Sequence, residues 1–163
     1  MRVEAPIKVD RKTKKLAKRL STGDIAVINH TDIDEVAANS LVECKIKLVI
    51  NAAPSISGRY PNKGPKILID NNILIIDNVG EKVFEDLKEG QIIEVNNGLI
   101  YRDGQLIGQG EVMDKSVVEQ KTKIAYENMS VELDRFIDNT IEYAKREKGF
   151  ILGETEIPKM ATD

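Results

Sequence analysis

The sequence is poor in the residues that build reactive or cross-linked sites: its 163 residues include no tryptophan, one cysteine and one histidine. The lone Cys44 excludes an internal disulfide, and the lone His30 excludes any mechanism that needs two histidines. Zinc sites built from several such residues are excluded as well. No apolar run approaches the roughly 20 residues of a membrane span, and the first residues lack the apolar core of a signal peptide. We therefore expect a cytoplasmic chain without a membrane segment.

Charge is unevenly spread along a chain of otherwise ordinary composition. Hydrophobic residues make up 41% and charged residues 31%, which suits one globular domain with an appendage. The net charge is −3, but residues 1–19 alone carry +6. We expect residues 1–20 to form a basic arm, as an amphipathic helix that leans on an acidic body. Contact with an acidic partner or a membrane surface is the alternative. Nucleic acid is not expected, because the arm has no aromatic residue to stack on bases.

The first half of the chain alternates short apolar runs with helical segments. Ile25–Ile28, Lys47–Asn51 and Ile73–Asp77 have the composition of buried strands. One helix is expected after the carboxylates of residues 32–35, and another from Pro65 to Asp70. This βαβαβ pattern predicts a parallel sheet with helices packed on it.

The pattern changes after a short helix predicted over Glu81–Leu87. Asn-Gly at residues 97–98 and Asp-Gly at residues 103–104 separate runs of strand length, a strong hairpin signal. The predicted strands are Ile92–Val95, Leu99–Tyr101 and Leu106–Ile107. The predicted fold class is therefore α/β over residues 21–113, with a partly parallel sheet and antiparallel hairpins.

A long helical arm is predicted over residues 114–150. Residues 114–147 contain neither proline nor glycine and carry an apolar stripe of helical period. We expect a kink or break near Asn128–Ser130 and an end at Gly149. The stripe packs on its own domain or pairs with a second copy to give a homodimer. Residues 151–163 are predicted to be a linker.

The most unusual segment is the loop of residues 51–65, which is rich in proline, glycine and serine and follows a predicted parallel strand. Ligands of open α/β sheets bind beyond the carboxyl ends of such strands. The loop offers hydroxyls, backbone donors, one guanidinium and a following helix N-terminus, which are the parts of a phosphate site. The alternative is a purely structural loop whose arginine pairs with a carboxylate. The candidate ligand-binding residues are Asn51, Ser55, Ser57, Gly58, Arg59, Tyr60, Asn62, Gly64 and His30.

No residues are assigned to catalysis or to a metal. His30 follows the first strand of the βαβαβ segment, where a histidine serves as a base or ligand or, more often, as a surface or capping residue. Three carboxylates near strand ends could gather around magnesium, although helix capping is the simpler expectation for the first two; they are Asp32, Asp34 and Asp77. No nucleophile–base pair is visible, and Cys44 is expected to be buried. We do not expect catalysis by this chain alone.

Two resemblances extend this interpretation, and the first concerns architecture. Residues 87–95, with Gly98, resemble the terminal hairpin of the swivelling β/β/α domain of phosphoenolpyruvate-utilising enzymes. The order of strands and helices before them is similar too. Residues 52–66 contain no histidine, so the phosphohistidine of that family does not carry over.

The second resemblance covers almost the whole chain. Residues 9–14, 23–28 and 51–62, followed by Gly64-Pro65, resemble the N-terminal domain of the SteA family, bacterial thiamin-pyrophosphokinase-like proteins described at the cytokinetic ring. In that family a kinase-like domain and a C-terminal membrane segment follow. The resemblance implies that residues 151–163 link to a kinase-like domain outside this sequence, and that any ATP and magnesium belong to the longer protein.

Together these observations predict a non-catalytic binding or regulatory module, with Arg59 as the first contact to a small phosphorylated ligand or to the adjacent kinase-like domain. No cofactor is expected in this fragment itself. One alternative is a contribution to an ATP-dependent active site of the thiamin-pyrophosphokinase kind. Another is a structural module that self-associates through residues 114–147. A link to cell division rests on the resemblance alone.

Overall fold

A computed structural model describes residues 2–154 and shows a mixed α/β fold built on one eight-stranded sheet. The strands are β1 (Arg2–Val9), β2 (Ile25–Ile28), β3 (Leu48–Asn51), β4 (Leu74–Asp77), β5 (Ile92–Asn96), β6 (Leu99–Arg102), β7 (Gln105–Gln109) and β8 (Glu111–Met113). The helices are α1 (Thr13–Ala17), α2 (Glu35–Glu43), α3 (Gly64–Asp70), α4 (Glu81–Asp86) and α5 (Lys115–Glu154). The spatial strand order is β7-β6-β5-β1-β2-β3-β4-β8. The predicted fold class is confirmed.

The parallel half of the sheet is the predicted βαβαβ unit with one strand added. β1 to β4 are parallel neighbours, joined in sequence by α1, α2 and α3. Asp34 caps α2 by accepting a hydrogen bond from Ala37 N at 2.8 Å, and Pro65 lies in the first turn of α3. The antiparallel half consists of β5, β6 and β7, as the turn signals predicted, and β8 flanks β4 on the other side.

The prediction of a helical N-terminal arm is wrong for residues 2–9, which form β1 between β2 and β5. Ala5 and Ile7 are buried in the core, while charged residues occupy alternate positions of the strand. This period-two alternation is a strand signal that the excess of basic residues concealed. Lys8 is neutralised by Asp24 at 2.8 Å. Within residues 2–20 only Thr13–Ala17 is helical. The basic segment is therefore part of the folded domain and not a separate arm.

Two apolar clusters lie on the two faces of the sheet. Helices α1, α2 and α3 bury one face with residues such as Leu16, Leu41 and Leu68. The other face is covered by α4 and the antiparallel strands, with Phe84 and Ile93 among the buried residues. The turn between β5 and β6 reaches the start of β8, where Gly110 N donates to Gly98 O at 2.9 Å. The sheet therefore curls around its second cluster.

Helix α5 is continuous for 40 residues, from Lys115 to Glu154. The helix has no break near Asn128–Ser130 and continues past Gly149, so the expectations of a break and of an end at Gly149 are wrong. One internal glycine costs only about 1 kcal/mol relative to alanine, too little to stop a long helix. Residues 151–154 belong to α5 rather than to the predicted linker, and residues 155–163 lie outside the described part of the chain. None of the described helices combines the length and apolar character that a membrane crossing requires.

Candidate functional site

The loops that follow β1, β2, β3 and β4 meet at one edge of the sheet, because these strands run parallel. Asn51, at the end of β3, is fully buried and joins two of these loops. Its side-chain oxygen accepts from His30 N at 3.0 Å and Ala53 N at 3.1 Å. Its side-chain nitrogen donates to His30 O at 2.8 Å and Ser55 Oγ at 2.7 Å. The four bonds use the full capacity of the amide, so Asn51 is a structural link.

Ser55 and Asp77 form a second buried link. Ser55 is fully buried and its backbone N donates to Asp77 Oδ1 at 2.9 Å. Burial raises the pKa of the Asp77 carboxyl, and hydrogen bonds from the Ser55 side chain and backbone oppose that rise. Asp77 therefore ties the end of β4 to the loop after β3.

Asp77→Asn tests the raised pKa of this carboxyl through the pH dependence of stability. Well below its ordinary pKa of about 4, the carboxyl is protonated in both the folded and the unfolded chain. As pH rises, the unfolded chain ionises first, so the wild type loses stability that the asparagine variant keeps. We expect the unfolding free energy of the wild type minus that of the variant to fall as the pH rises from the ordinary carboxyl range, until the folded carboxyl is ionised too.

Denaturant unfolding at a series of pH values measures this difference directly. Asp103→Asn, in the exposed turn between β6 and β7, is the control for loss of a carboxylate. A difference for Asp77 that stays constant or increases with pH would contradict the raised pKa.

Ser57 and Asp32 hold the middle of the 51–65 loop. Asp32 accepts from Ser57 N at 2.6 Å and from Ser57 Oγ at 2.8 Å, and has a left-handed φ of 55°. Asp32 is thus not the helix cap that was expected, since Asp34 has that role. The three candidate carboxylates serve three separate structural bonds. Within residues 2–154 no group of three metal-ligating side chains comes together.

Asn62 and Gly64 close the loop against the segment after β2. Asn62 Nδ2 donates to Ile33 O at 3.0 Å and to Ser55 O at 2.8 Å. Gly64 N donates to Ile33 O at 3.0 Å, and a Cβ at Gly64 would overlap that same carbonyl. Gly64 is therefore required by close packing.

The tip of the loop is its exposed part. Gly58 O accepts from Asn128 Nδ2 of α5 at 2.7 Å, which fixes the tip beside the long helix. Arg59 and Tyr60 are exposed, with Tyr60 63% accessible. The Arg59 guanidinium makes no hydrogen bond or ion pair to any described residue, so the alternative of a carboxylate partner is not observed there. These two side chains are the loop's open groups.

His30 lies apart from that tip, in a cleft of about 530 Å³ between the start of α1 and α2. Its Nδ1 is 2.9 Å from Thr13 Oγ1, and Thr13 is buried. Lys12, Lys14 and Ser40 also line the cleft, and none of the residues that line it comes from the 51–65 loop. The His30 side chain therefore lies in the cleft, away from the other predicted ligand residues. Only the His30 backbone contacts one of them, through its two hydrogen bonds with the Asn51 side chain.

The cleft has an excess of positive charge. Arg11 is neutralised by an ion pair with Glu81, and its guanidinium lies 4.9 Å from the centre of the Phe84 ring. The hydrogen bond that Arg11 donates lowers the pKa of the Glu81 carboxyl. Lys12 and Lys14 are exposed and form no ion pair with the described residues. Asp34 is the one carboxylate among the lining residues, and it already caps α2.

Sequence reasoning did not place Lys12 and Lys14 beside His30, because it treated residues 1–20 as one helical arm outside the sheet. The available signal was the alternation of residues 2–9, which identifies a strand ending just before these lysines. Cys44 is half-buried, and burial followed by the nearby Glu43 charge raises the pKa of its thiol. A thiol of raised pKa is a poor nucleophile at neutral pH.

The sequence matches no protein-family model and no curated protein. Among solved structures, the chain is similar to a 3-isopropylmalate dehydratase from Methanocaldococcus jannaschii, with a TM-score of 0.44 and 13% identity. The similarity covers 83% of this chain and 99% of that one.

Proposed function

We propose that this domain is a non-catalytic binding module for a small phosphorylated ligand, held at the carboxyl edge of the parallel strands. The observation that carries the proposal is the cleft of about 530 Å³, lined by Lys12, Lys14, Thr13 and His30. Its volume lies within the roughly 300–1,000 Å³ of small-molecule sites. Its position beyond the ends of β1 and β2 is where α/β sheets bind ligands.

Phosphate is the ligand chemistry that these side chains suit. Two ammonium groups without ion pairs can neutralise a phosphate dianion, and charge-assisted hydrogen bonds to phosphate are about twice as strong as neutral ones. The His30 imidazole supplies a further hydrogen bond, while the buried Thr13 hydroxyl holds the ring through its contact with Nδ1. Val36 and Ala37 give the cleft an apolar side against which the uncharged part of a ligand packs.

Arg59 is the second candidate contact, at the tip of the neighbouring loop. Its exposed guanidinium suits a phosphate or a carboxylate, either on the ligand or on an adjacent domain. The polar side chains behind it are already used within the loop, so they add no free donors to a ligand site.

The resemblance to the SteA family selects the ligands to test first. Under this proposal the module sits beside a thiamin-pyrophosphokinase-like domain and binds a nucleotide or a thiamin phosphate, in a protein linked to division. The alternative, that the module completes an ATP-dependent active site, rests on the same resemblance alone.

Thermal melts of the domain against phosphate, ADP, ATP with magnesium and thiamin phosphates test the proposal. A ligand at a hundredfold excess over its dissociation constant is expected to raise the melting midpoint by roughly 5–10 °C. We expect Lys12→Ala/Lys14→Ala to remove most of that shift and to leave the melting of the free protein nearly unchanged, because both side chains are exposed. Arg59→Ala, tested separately, is expected to reduce it if the ligand spans both loops.

Lys47→Ala/Lys123→Ala is the matched control, since it removes the same charge from exposed lysines outside the cleft. The absence of a shift with every ligand would reject a phosphate-binding module. A shift that survives in the cleft variant and disappears in Arg59→Ala would move the site to the 51–65 loop.

A further inference from the structure

The distal half of α5 carries an apolar stripe that nothing in the described structure covers. Residues 131–149 are all exposed, including Leu133 at 49%, Phe136 at 66% and Tyr143 at 65%. These side chains lie three and seven residues apart, so they share one face of the helix. Val118 and Ala125, which lie on the same face nearer the helix start, are buried against the body.

The domain cannot cover this face itself, because α5 is one uninterrupted helix that packs on α3 and β8 only near its start. A helix without a break does not fold back on the body it leaves. The partner of the distal stripe must therefore be another segment or another molecule.

The charges that flank the stripe indicate what that partner is. Residues 131–142 carry four carboxylates and one arginine, a net charge of −3. Residues 143–149 carry three basic side chains and one glutamate, a net charge of +2. Two copies in parallel would place the acidic segments side by side, whereas two antiparallel copies place each acidic segment against a basic one.

We infer that the domain forms a homodimer through an antiparallel pairing of two α5 helices, centred near residue 139. In this register Leu133 lies opposite Ala144 of the partner subunit, and Phe136 lies opposite the partner's Tyr143. On the flank, Glu132 meets the partner's Arg146. The pairing obeys two-fold symmetry, so each contact occurs twice. The inference goes beyond the proposed ligand site and does not depend on it.

The geometry leaves room for both domain bodies. Residues 131–149 span about 28 Å of helix at 1.5 Å per residue. An antiparallel pair sets the two bodies at opposite ends of that span, where they do not compete for space.

Sedimentation equilibrium of the full chain, from low micromolar to millimolar concentration, tests the association. We expect a monomer–dimer equilibrium that Phe136→Asp abolishes. Glu132→Arg and Arg146→Glu are each expected to weaken dimerisation about tenfold, since two symmetry-related attractions become repulsions. The double variant Glu132→Arg/Arg146→Glu is expected to restore the wild-type dissociation constant.

Restoration in the double variant distinguishes the dimer contact from the bond that Glu132 makes within its own helix, to Arg135 at 2.9 Å. That internal bond stays disrupted in the double variant. Asp138→Arg is the control, because it makes the same change of charge on the opposite side of the helix, and we expect no weakening.

Disulfide trapping tests the orientation in a Cys44→Ser background. Phe136→Cys and Tyr143→Cys proteins, when mixed, are expected to cross-link to each other faster than either cross-links to itself. A chain that stays monomeric at every concentration overturns the inference. A preference for Phe136→Cys homodisulfides, or an Asp138→Arg variant as weakened as Glu132→Arg, overturns the antiparallel pairing.

Discussion

Asn51→Ala is expected to lower the free energy of unfolding by roughly 3–5 kcal/mol, because each buried polar group left without a partner costs about 1–3 kcal/mol. The amide makes four hydrogen bonds, and its removal leaves His30 N and O, Ala53 N and Ser55 Oγ without those partners. A loss of this size is a large share of the 5–15 kcal/mol that stabilises a typical domain. Denaturant unfolding measures it.

Asn71→Ala is the control for this substitution. The Asn71 amide is exposed and donates one hydrogen bond, to Ile67 O at 2.8 Å. Water replaces that bond in the variant, so we expect a change within about 0.5 kcal/mol. If the two variants lost equal stability, the buried Asn51 amide would not be the link between the loops that follow β2 and β3.

Gly64→Ala is expected to cost about 3 kcal/mol or more, at the upper end of the range for overpacking. The new Cβ would overlap the Ile33 carbonyl oxygen and lie 2.6 Å from Ile33 Cγ2. The clash involves backbone, and the hydrogen bond from Gly64 N to Ile33 O draws the same atoms together at 3.0 Å. Neither segment can retreat without breaking that bond.

The same substitution at Gly149 separates crowding from other effects of the added methyl group. Gly149 lies inside α5, and a Cβ built there meets no described atom within 4 Å beyond its chain neighbours and the adjacent helix backbone. We expect Gly149→Ala to be neutral or to stabilise by up to about 1 kcal/mol, because alanine favours a helix. A melting midpoint for Gly64→Ala as high as that of Gly149→Ala would refute the packing argument.

The elements with strong local signals could be predicted from the sequence. The β2-α2-β3-α3-β4 unit follows from its apolar runs, the Asp34 cap and Pro65, which all act within a few residues. The hairpins follow from Asn-Gly and Asp-Gly, where Asn97 and Asp103 adopt the left-handed φ that such turns require.

Two strands were harder to find, for different reasons. In β1 the charges of Arg2, Glu4 and Lys8 dominated the composition and concealed the alternation of its apolar residues. β8 has only three residues, too few for a periodic pattern. Its pairing with β4 is set by the tertiary fold, which local sequence does not encode.

The edge of the sheet that carries the candidate site was predictable, but the cleft and the roles of the loop residues were not. The 51–65 loop lies at the predicted edge of the sheet, since that follows from the strand order. The roles of its hydroxyl groups do not follow, because Ser55 bonds to Asp77 and Ser57 to Asp32, which are 22 and 25 residues away. Local sequence does not distinguish a serine that hydrogen-bonds to a residue distant in the chain from a serine that is free to bind a ligand.

The central place of β1 has a consequence for how the chain is made. On the ribosome β1 emerges before the other strands of this sheet, yet Arg2 pairs with Asn96 of β5, which is synthesised much later. Such distant pairing slows folding, because a long loop must close before its contacts form. Until then the β1 edge that will receive β5 stays open, and an open edge is a template for other chains. The nascent domain therefore exposes this edge of β1 at least until β5 has been synthesised.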